Sequence, residues 1–229
     1  MLALDRAGSG PLLPYTRQVV LARGDTVSEE GVAAGAAVFP EGALLSRVAA
    51  MADGRTVEVA ALGQDDAAGI LSCLTSAPEP CRTVVRIGGP ARAIPASVLK
   101  SAVDRDHGLR RVLLQSIQNR AIRIEQDLAC NALHDVTARL ARWLLLACAR
   151  TGEDNLPLTQ DDMAAVLGVQ RTTLNASAMH LRASGAIRYN RGALRVLDAA
   201  RLEAAACECY RPPIGDLRPV DVRGSRRVA

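Results

Sequence analysis

Between residues 157 and 198 the chain gathers side chains suited to hydrogen-bonding recognition of a nucleic-acid surface. Gln170, Arg171, Thr172 and Thr173 are consecutive, and Asn175 follows two positions later. The guanidinium of Arg171 presents its donors in a planar fork that matches the O6 and N7 acceptors of guanine. The carboxamide of Asn175 suits adenine or a phosphate, and the hydroxyls of Thr172 and Thr173 suit phosphate oxygens or contact with a thymine methyl group. Further on, Arg188, Arg191 and Arg195 are spaced through AIRYNRGALRVLD, where they suit phosphates beside the groove. Solvated Arg, Asn and Thr side chains on an ordinary surface would look alike, so the elements that carry them decide between the readings.

Those elements are legible. In LTQDDMAAVLGVQRTTLNASAMHLRASGAI, Thr159 is a good N-cap, and Asp161 and Asp162 lie in the first turn that follows, where the helix dipole favours negative charge. Met163, Val166 and Leu167 form an apolar face, Ala164 is small where another helix must cross, and Gly168 supplies a turn of positive φ. A second helix starts near Gln170. Its inward positions are Leu174, Ala178 and Leu181, which leaves Gln170, Arg171, Thr172, Asn175, Ala176 and Met179 outward on the turns that enter a major groove. Two short alternating runs around Asn190-Arg191-Gly192 predict a hairpin, a wing beside the two helices.

Upstream, VVLARGDTV, AAVFPEGALLSRV, DGRTVEVAALG and CRTVVRIGGPARAIP read as short strands parted by turn residues, the pattern of a jelly roll or barrel. From Leu109 a long helix is expected, with Leu109, Leu113, Ile117, Ile124 and Leu128 on one apolar stripe, read as a dimer seam in preference to packing on the barrel. A further helix is expected from about Asn131 to Thr151, burying Val136, Leu140, Trp143, Leu144 and Ala147, with Gly152 stopping it.

Composition narrows the function classes. Of 229 residues 49% are hydrophobic but only 2% aromatic, so there is little platform on which single-stranded bases could stack. Basic and acidic side chains number 14 each in residues 1–131, against 14 and 10 in 132–229, so the excess positive charge falls in the second half. Asp5 and Arg6 interrupt the stretch that a signal peptide would need to be apolar, and the expected location is cytoplasmic, with no membrane partner. His107, His134 and His180 lie outside the barrel strands, where a cupin-type metal enzyme needs its ligands, and no nucleophilic elbow, phosphate-cradling loop or paired carboxylates are recognisable; no enzyme activity is expected. The six cysteines are expected as free thiols, with Cys130, Cys207 and Cys209 as redox candidates. Cys130 and His134 share a helix face, and with Cys207 and Cys209 they would make a Cys3His metal set only if the two segments met; their spacing does not establish this, so no metal or cofactor is assigned.

The order barrel, long helix, helix-turn-helix resembles the Crp/Fnr family of bacterial transcription regulators over roughly residues 17–200. The resemblance is carried by LHDVTARLARWLLLA, LTQDDMAAVLGVQRTTL and LRASGAIRYNRGALRVLD. It implies an α+β chain: an N-terminal segment 1–16, a cyclic-nucleotide-binding-like β jelly roll 17–105, a dimerisation helix 106–130, a winged helix-turn-helix 131–210 and a flexible tail 211–229. It also implies a homodimer on a near-palindromic duplex operator, with RNA polymerase as a candidate partner and Arg171 at the family's guanine-reading position. Thr172 stands where the family usually has Glu, and Ala176 where well-known members have a second Arg, so a different operator is expected. Ser177 replaces an apolar residue, which implies looser packing there. Arg82-Thr83 resembles the family's phosphate-holding pair, yet the accompanying Gly-Glu is missing, so cyclic AMP is not expected as effector and the effector is left open. No cysteine precedes Cys73, against the family's iron-sulfur version, and only His107 lies near where a haem ligand would stand. The competing readings are a thiol-redox regulator of the same fold and an interaction adaptor that has lost DNA binding.

Overall fold

A computed structural model of the chain describes residues 13–190 and 192–210. Residues 1–12, the expected tail 211–229 and the wing residue Arg191 lie outside the described residues. After a single 3-10 turn at Leu13–Tyr15, seven strands build two antiparallel sheets. The first sheet holds β1 (Arg17–Leu21), β7 (Gly89–Pro95) and β3 (Ala36–Pro40) in that order. The second runs β2 (Thr26–Ser28), β6 (Arg82–Ile87), β4 (Leu44–Ala50) and β5 (Thr56–Leu62). Only Gly88 separates β6 from β7, at the corner between the sheets. A Cβ on Gly89 would lie 2.8 Å from the backbone of Gly42 and Ala43, so this corner closes only without a side chain.

Helices α1 (Ile70–Thr75) and α2 (Ala96–Arg105) cover one end of the roll. Asp106 then caps α3 (His107–Leu133) by accepting from the amides of Gly108 and Leu109. At 27 residues α3 is about 40 Å long. It does not run on into the next helix. The chain breaks at His134, and Asp135 caps α4 (Val136–Thr151) through the amides of Thr137 and Ala138, so the helix expected from Asn131 begins five residues later. Leu140, Trp143, Leu144 and Ala147 are buried as expected, and Gly152 ends α4 at φ 77°.

The apolar residues of α3 divide between two faces, which corrects part of the expected seam. Leu109 and Leu113 belong to the chain's own core with Phe39, Ile70, Ile94 and Leu99, and Ile117 is half-buried against it. Ile124 and Leu128 are exposed, as are Leu114 and Ala121. The face left open is therefore Leu114, Ile117, Ala121, Ile124 and Leu128, at steps of three and four, the spacing of a coiled-coil stripe.

The last unit holds β8 (Asn155–Leu156), α5 (Gln160–Leu167), α6 (Arg171–Ala183), β9 (Ile187–Asn190), β10 (Ala193–Val196) and α7 (Ala199–Ala205), with the strands in the order β8-β10-β9. Its core is continuous with the roll: Leu44 and Ile87 share one apolar cluster with Leu140, Leu144, Met163, Leu174 and Leu181. Polar contacts flank this junction. Trp143 Nε1 donates to Glu58 Oε1 at 2.8 Å, Gln64 donates to the Ala149 carbonyl, and Arg150 pairs with Asp65 at 3.3 Å. Among the described residues no helix is long and apolar enough to cross a membrane.

Glu58 is half-buried, and desolvation raises its pKa above the ordinary 4.5 despite hydrogen bonds from Ser46 and Trp143 and the charges of Arg86 and Arg150. The unfolded chain therefore loses this proton first as pH rises. The contribution of Glu58 to folding stability should fall from about pH 4.5 upward and level off above the raised value. Glu58→Gln keeps both an acceptor and a donor in place but cannot ionise. Urea denaturation at pH 5 and pH 8 should show a smaller loss of stability between the two for this variant than for the parent.

Candidate nucleic-acid interface

Thr159 and Asp162 form a reciprocal capping box at the start of α5: Thr159 Oγ1 accepts from the Asp162 amide at 3.1 Å, and Asp162 Oδ2 accepts from the Thr159 amide at 2.8 Å. Gly168 follows at φ 63°, the turn conformation expected of it. The turn also touches the roll, because a Cβ on Gly168 would come within 3.1 Å of Val57 Cγ2.

Helix α6 buries Leu174, Ser177, Ala178 and Leu181. Its opposite side exposes Thr172, Asn175, Ala176 and Met179, while Arg171 and Thr173 are exposed on its flanks and Gln170 at the N-cap. Gln170 occupies the N-cap without a side-chain cap, so no side chain fills the first-turn amides as Thr159 does in α5. Such amides and the helix dipole suit a phosphate oxygen. Arg171 Nη1 lies 3.5 Å from Asp161 Oδ1, both side chains being more than 60% exposed, so solvent screens the pair. Asn175 Oδ1 accepts from Gln160 at 3.1 Å. Ser177 is not loosely packed as expected: its hydroxyl accepts from Thr137 Oγ1 at 3.1 Å and joins α6 to α4.

The hairpin predicted around Asn190-Arg191-Gly192 is present, with Ile187↔Val196 and Tyr189↔Leu194 in register and Gly192 at φ 82°. Arg188 and Arg195 are exposed on its strands, and Arg195 pairs with Asp154 at 3.2 Å. Arg191 is the one predicted contact residue outside the described residues.

The roll reaches this unit through Asp162. Arg86 Nη1 lies 3.1 Å from its Oδ1, Arg23 pairs with its Oδ2, and Arg23 also donates to the Pro157 carbonyl. Burial pushes the Asp162 carboxyl up, but the hydrogen bonds from Thr159 and the charges of Arg23 and Arg86 outweigh it and hold the group below the usual carboxylate range.

Arg82 and Thr83 do not form a pocket element together. Arg82 is exposed at the start of β6, whereas the Thr83 hydroxyl is buried without a hydrogen-bond partner. The contact between the roll and α3 is instead filled by ion pairs: Asp66 is fully buried with Arg120, Arg123 bonds it at 2.6 Å, and Arg120 also donates to the Ala67 carbonyl. Asp65 and Asp66, the acids of the stretch searched for a Gly-Glu equivalent, are thus neutralised by arginines of the same chain. The 470 Å3 cavity beside Tyr15, Val98, Ala102, Arg105 and Leu109 lies elsewhere, between α2 and the start of α3.

Cys130, Cys207 and Cys209 come together with His134, which their separation in sequence left open. Burial pushes the Cys130 thiol up to about 12, the facing Cys207 adding to the rise and Arg142 opposing it. An oxidant would therefore meet a thiol and not a thiolate at Cys130, which weakens the redox reading there. Cys73 and Cys81 have separate partners, the Ala34 carbonyl and Arg47 Nε.

Comparison with known proteins agrees with this architecture. Residues 138–205 match the Crp-like helix-turn-helix domain. The fold is similar to that of a CRP-family transcriptional regulator from Thermus thermophilus, at 18% identity, 83% of this chain, 96% of that one and a TM-score of 0.69. It is also similar to FixK2 from Bradyrhizobium japonicum, at 15% identity, 84% of this chain, 98% of that one and a TM-score of 0.68. The c-di-GMP responsive global regulator CLP of Xanthomonas campestris matches at 15% identity, 86% of this chain, 98% of that one and a TM-score of 0.64. No curated protein matched the chain. The chain has the α+β fold of Crp/Fnr transcription regulators, and its second unit is a Crp-like helix-turn-helix domain.

Gly168→Ala places a side chain in left-handed backbone and against Val57, and should cost about 1–2 kcal/mol in urea denaturation. Adding Val57→Ala relieves only the contact, so the double variant should recover part of the loss.

Proposed function

We propose that this chain is a transcription regulator that binds a near-palindromic duplex operator sequence-specifically as a homodimer. The observation that carries the reading is the open face of α6: Gln170, Arg171, Thr172 and Asn175 project from its first turns while Leu174, Ala178 and Leu181 fix the other side in the core. A helix so held presents a rigid set of donors to base edges, and the basic strands of the wing flank it. Arg171 reads guanine; its screened contact with Asp161 is readily exchanged for a base. Thr172, Thr173, Arg188, Arg191 and Arg195 hold phosphates, and Asn175 reads adenine or holds a phosphate.

The dimer forms along α3 through Leu114, Ile117, Ala121, Ile124 and Leu128, which sets two copies of α6 about 34 Å apart for successive major grooves. Cyclic AMP is not the effector. The position facing α3 is closed by Asp66, Arg120 and Arg123, and a cyclic phosphate entering there would have to displace a carboxylate already paired with arginine.

Genome-wide footprinting supplies the operator for the test. Arg171→Ala should weaken binding to it by about 1–3 kcal/mol and relax preference at one base pair per half-site. Unchanged affinity in an anisotropy titration would overturn the base-reading role. Ile124→Asp with Leu128→Asp should give a monomer in sedimentation and lose operator binding while the far-UV spectrum is retained.

A further inference from the structure

The side-chain ligand atoms of Cys130, His134, Cys207 and Cys209 all lie within 4.8 Å of one another. Cys130 Sγ and Cys207 Sγ are 3.5 Å apart, and Cys209 Sγ is 3.6 Å from His134 Nδ1. Tetrahedral zinc with bonds of about 2.3 Å to sulfur and 2.0 Å to nitrogen requires sulfur-sulfur edges of roughly 3.8 Å and slightly shorter sulfur-nitrogen edges. The set is thus already gathered at the size of a single ion. Iron-sulfur clusters, which place several iron and sulfide atoms between their cysteines, need a wider frame than this one.

The surroundings fit the same chemistry. His134 Nε2 lies 3.1 Å from Glu208 Oε1, so Nε2–H donates to the carboxylate and the Nδ1 lone pair is left facing the sulfurs. Gln126 donates to Cys209 Sγ at 3.1 Å. Arg142 donates to the Cys209 carbonyl at 3.2 Å and pairs with Asp127 at 2.5 Å, with its charge near Cys130 and Cys207. Three of the four ligands are buried: Cys130 is 1% exposed, Cys207 and Cys209 8% each. This closed arrangement suits a structural ion, with no position kept open for substrate.

We infer that Cys130, His134, Cys207 and Cys209 bind one zinc ion that fastens the end of the helix-turn-helix unit to the end of α3. Binding displaces three thiol protons to solvent, leaves all sulfur unoxidised and gives a site of net charge −1 beside Arg142. Cys130 and His134 close α3, whereas Cys207 and Cys209 follow α7, so the ion bridges the break at His134-Asp135 and fixes how the two units meet there.

The site can be tested without DNA, so its failure would leave the regulator reading untouched. Full-length chain, reduced and stripped with a chelator, is titrated with Co2+ and then with Zn2+. One Co2+ per chain should give the visible bands of a tetrahedral site with sulfur-to-cobalt charge transfer, and equimolar Zn2+ should bleach them. Cys207→Ser with Cys209→Ser should abolish the bands, while Cys73→Ser leaves them intact. Glu208→Gln changes an exposed side chain and should fold as the parent does, yet bind Zn2+ at least about 10-fold more weakly. No stoichiometric uptake by the folded, reduced parent, cobalt bands that survive the double serine change, or a purified chain carrying iron with sulfide would each overturn the inference.

Discussion

The arrangement depends on one continuous apolar cluster that crosses from the β-roll into the helix-turn-helix unit. Leu44 and Ile87 of the roll share it with Leu140 and Leu144 of α4, and through them with Met163, Leu174 and Leu181. Removing apolar area from water contributes about 25 cal/mol per Å2, whereas the largely buried pairs Arg86–Asp162 and Arg150–Asp65 offset much of their attraction by desolvation. Helix α6 is thereby positioned by burial, while Glu58, Asp65 and Asp162 add polar contacts at the junction. Since α4 packs on the roll as well as on α6 and α7, it transmits position from the first unit to the second.

The helix-turn-helix was legible because its signals are local. Thr159, Asp162 and Gly168 act within one or two turns of their own positions, and the inward spacing of Leu174, Ala178 and Leu181 repeats over one helix. The strands of the roll were readable for the same reason. On α3 local spacing is not enough: a helix that packs on its own domain and also leaves an apolar face open carries two stripes, and spacing alone does not separate Leu109 and Leu113 from Ile124 and Leu128. The helix break was signalled by Asp135, a good N-cap, but without glycine or proline nearby it was easy to read past. The pairing of Asp66 with Arg120 and the gathering of Cys130 with Cys207 depend on tertiary closure, and residue spacing carries no trace of either.

Charge is distributed less simply than its halves suggest. Residues 132–210 carry nine basic and eight acidic side chains, while 211–229 carry five and two. The folded unit is therefore close to neutral, and Arg142, Arg150, Arg195 and Arg201 are each already engaged by an acid of this chain. The proposed binding of duplex DNA at this surface would then rely on a few placed donors and on the uncapped start of α6 more than on a broad positive field.

Asp162 belongs to both sides of the junction. Its carboxylate serves the roll's Arg23 and Arg86 and, at the same moment, the amide and hydroxyl of Thr159. If the two units swing apart, the arginines depart into water while the acid keeps its local partners, so α5 neither frays nor strands a bare charge. Asp162 thus ties the two units together while the capping box of α5 stands on contacts within its own first turn.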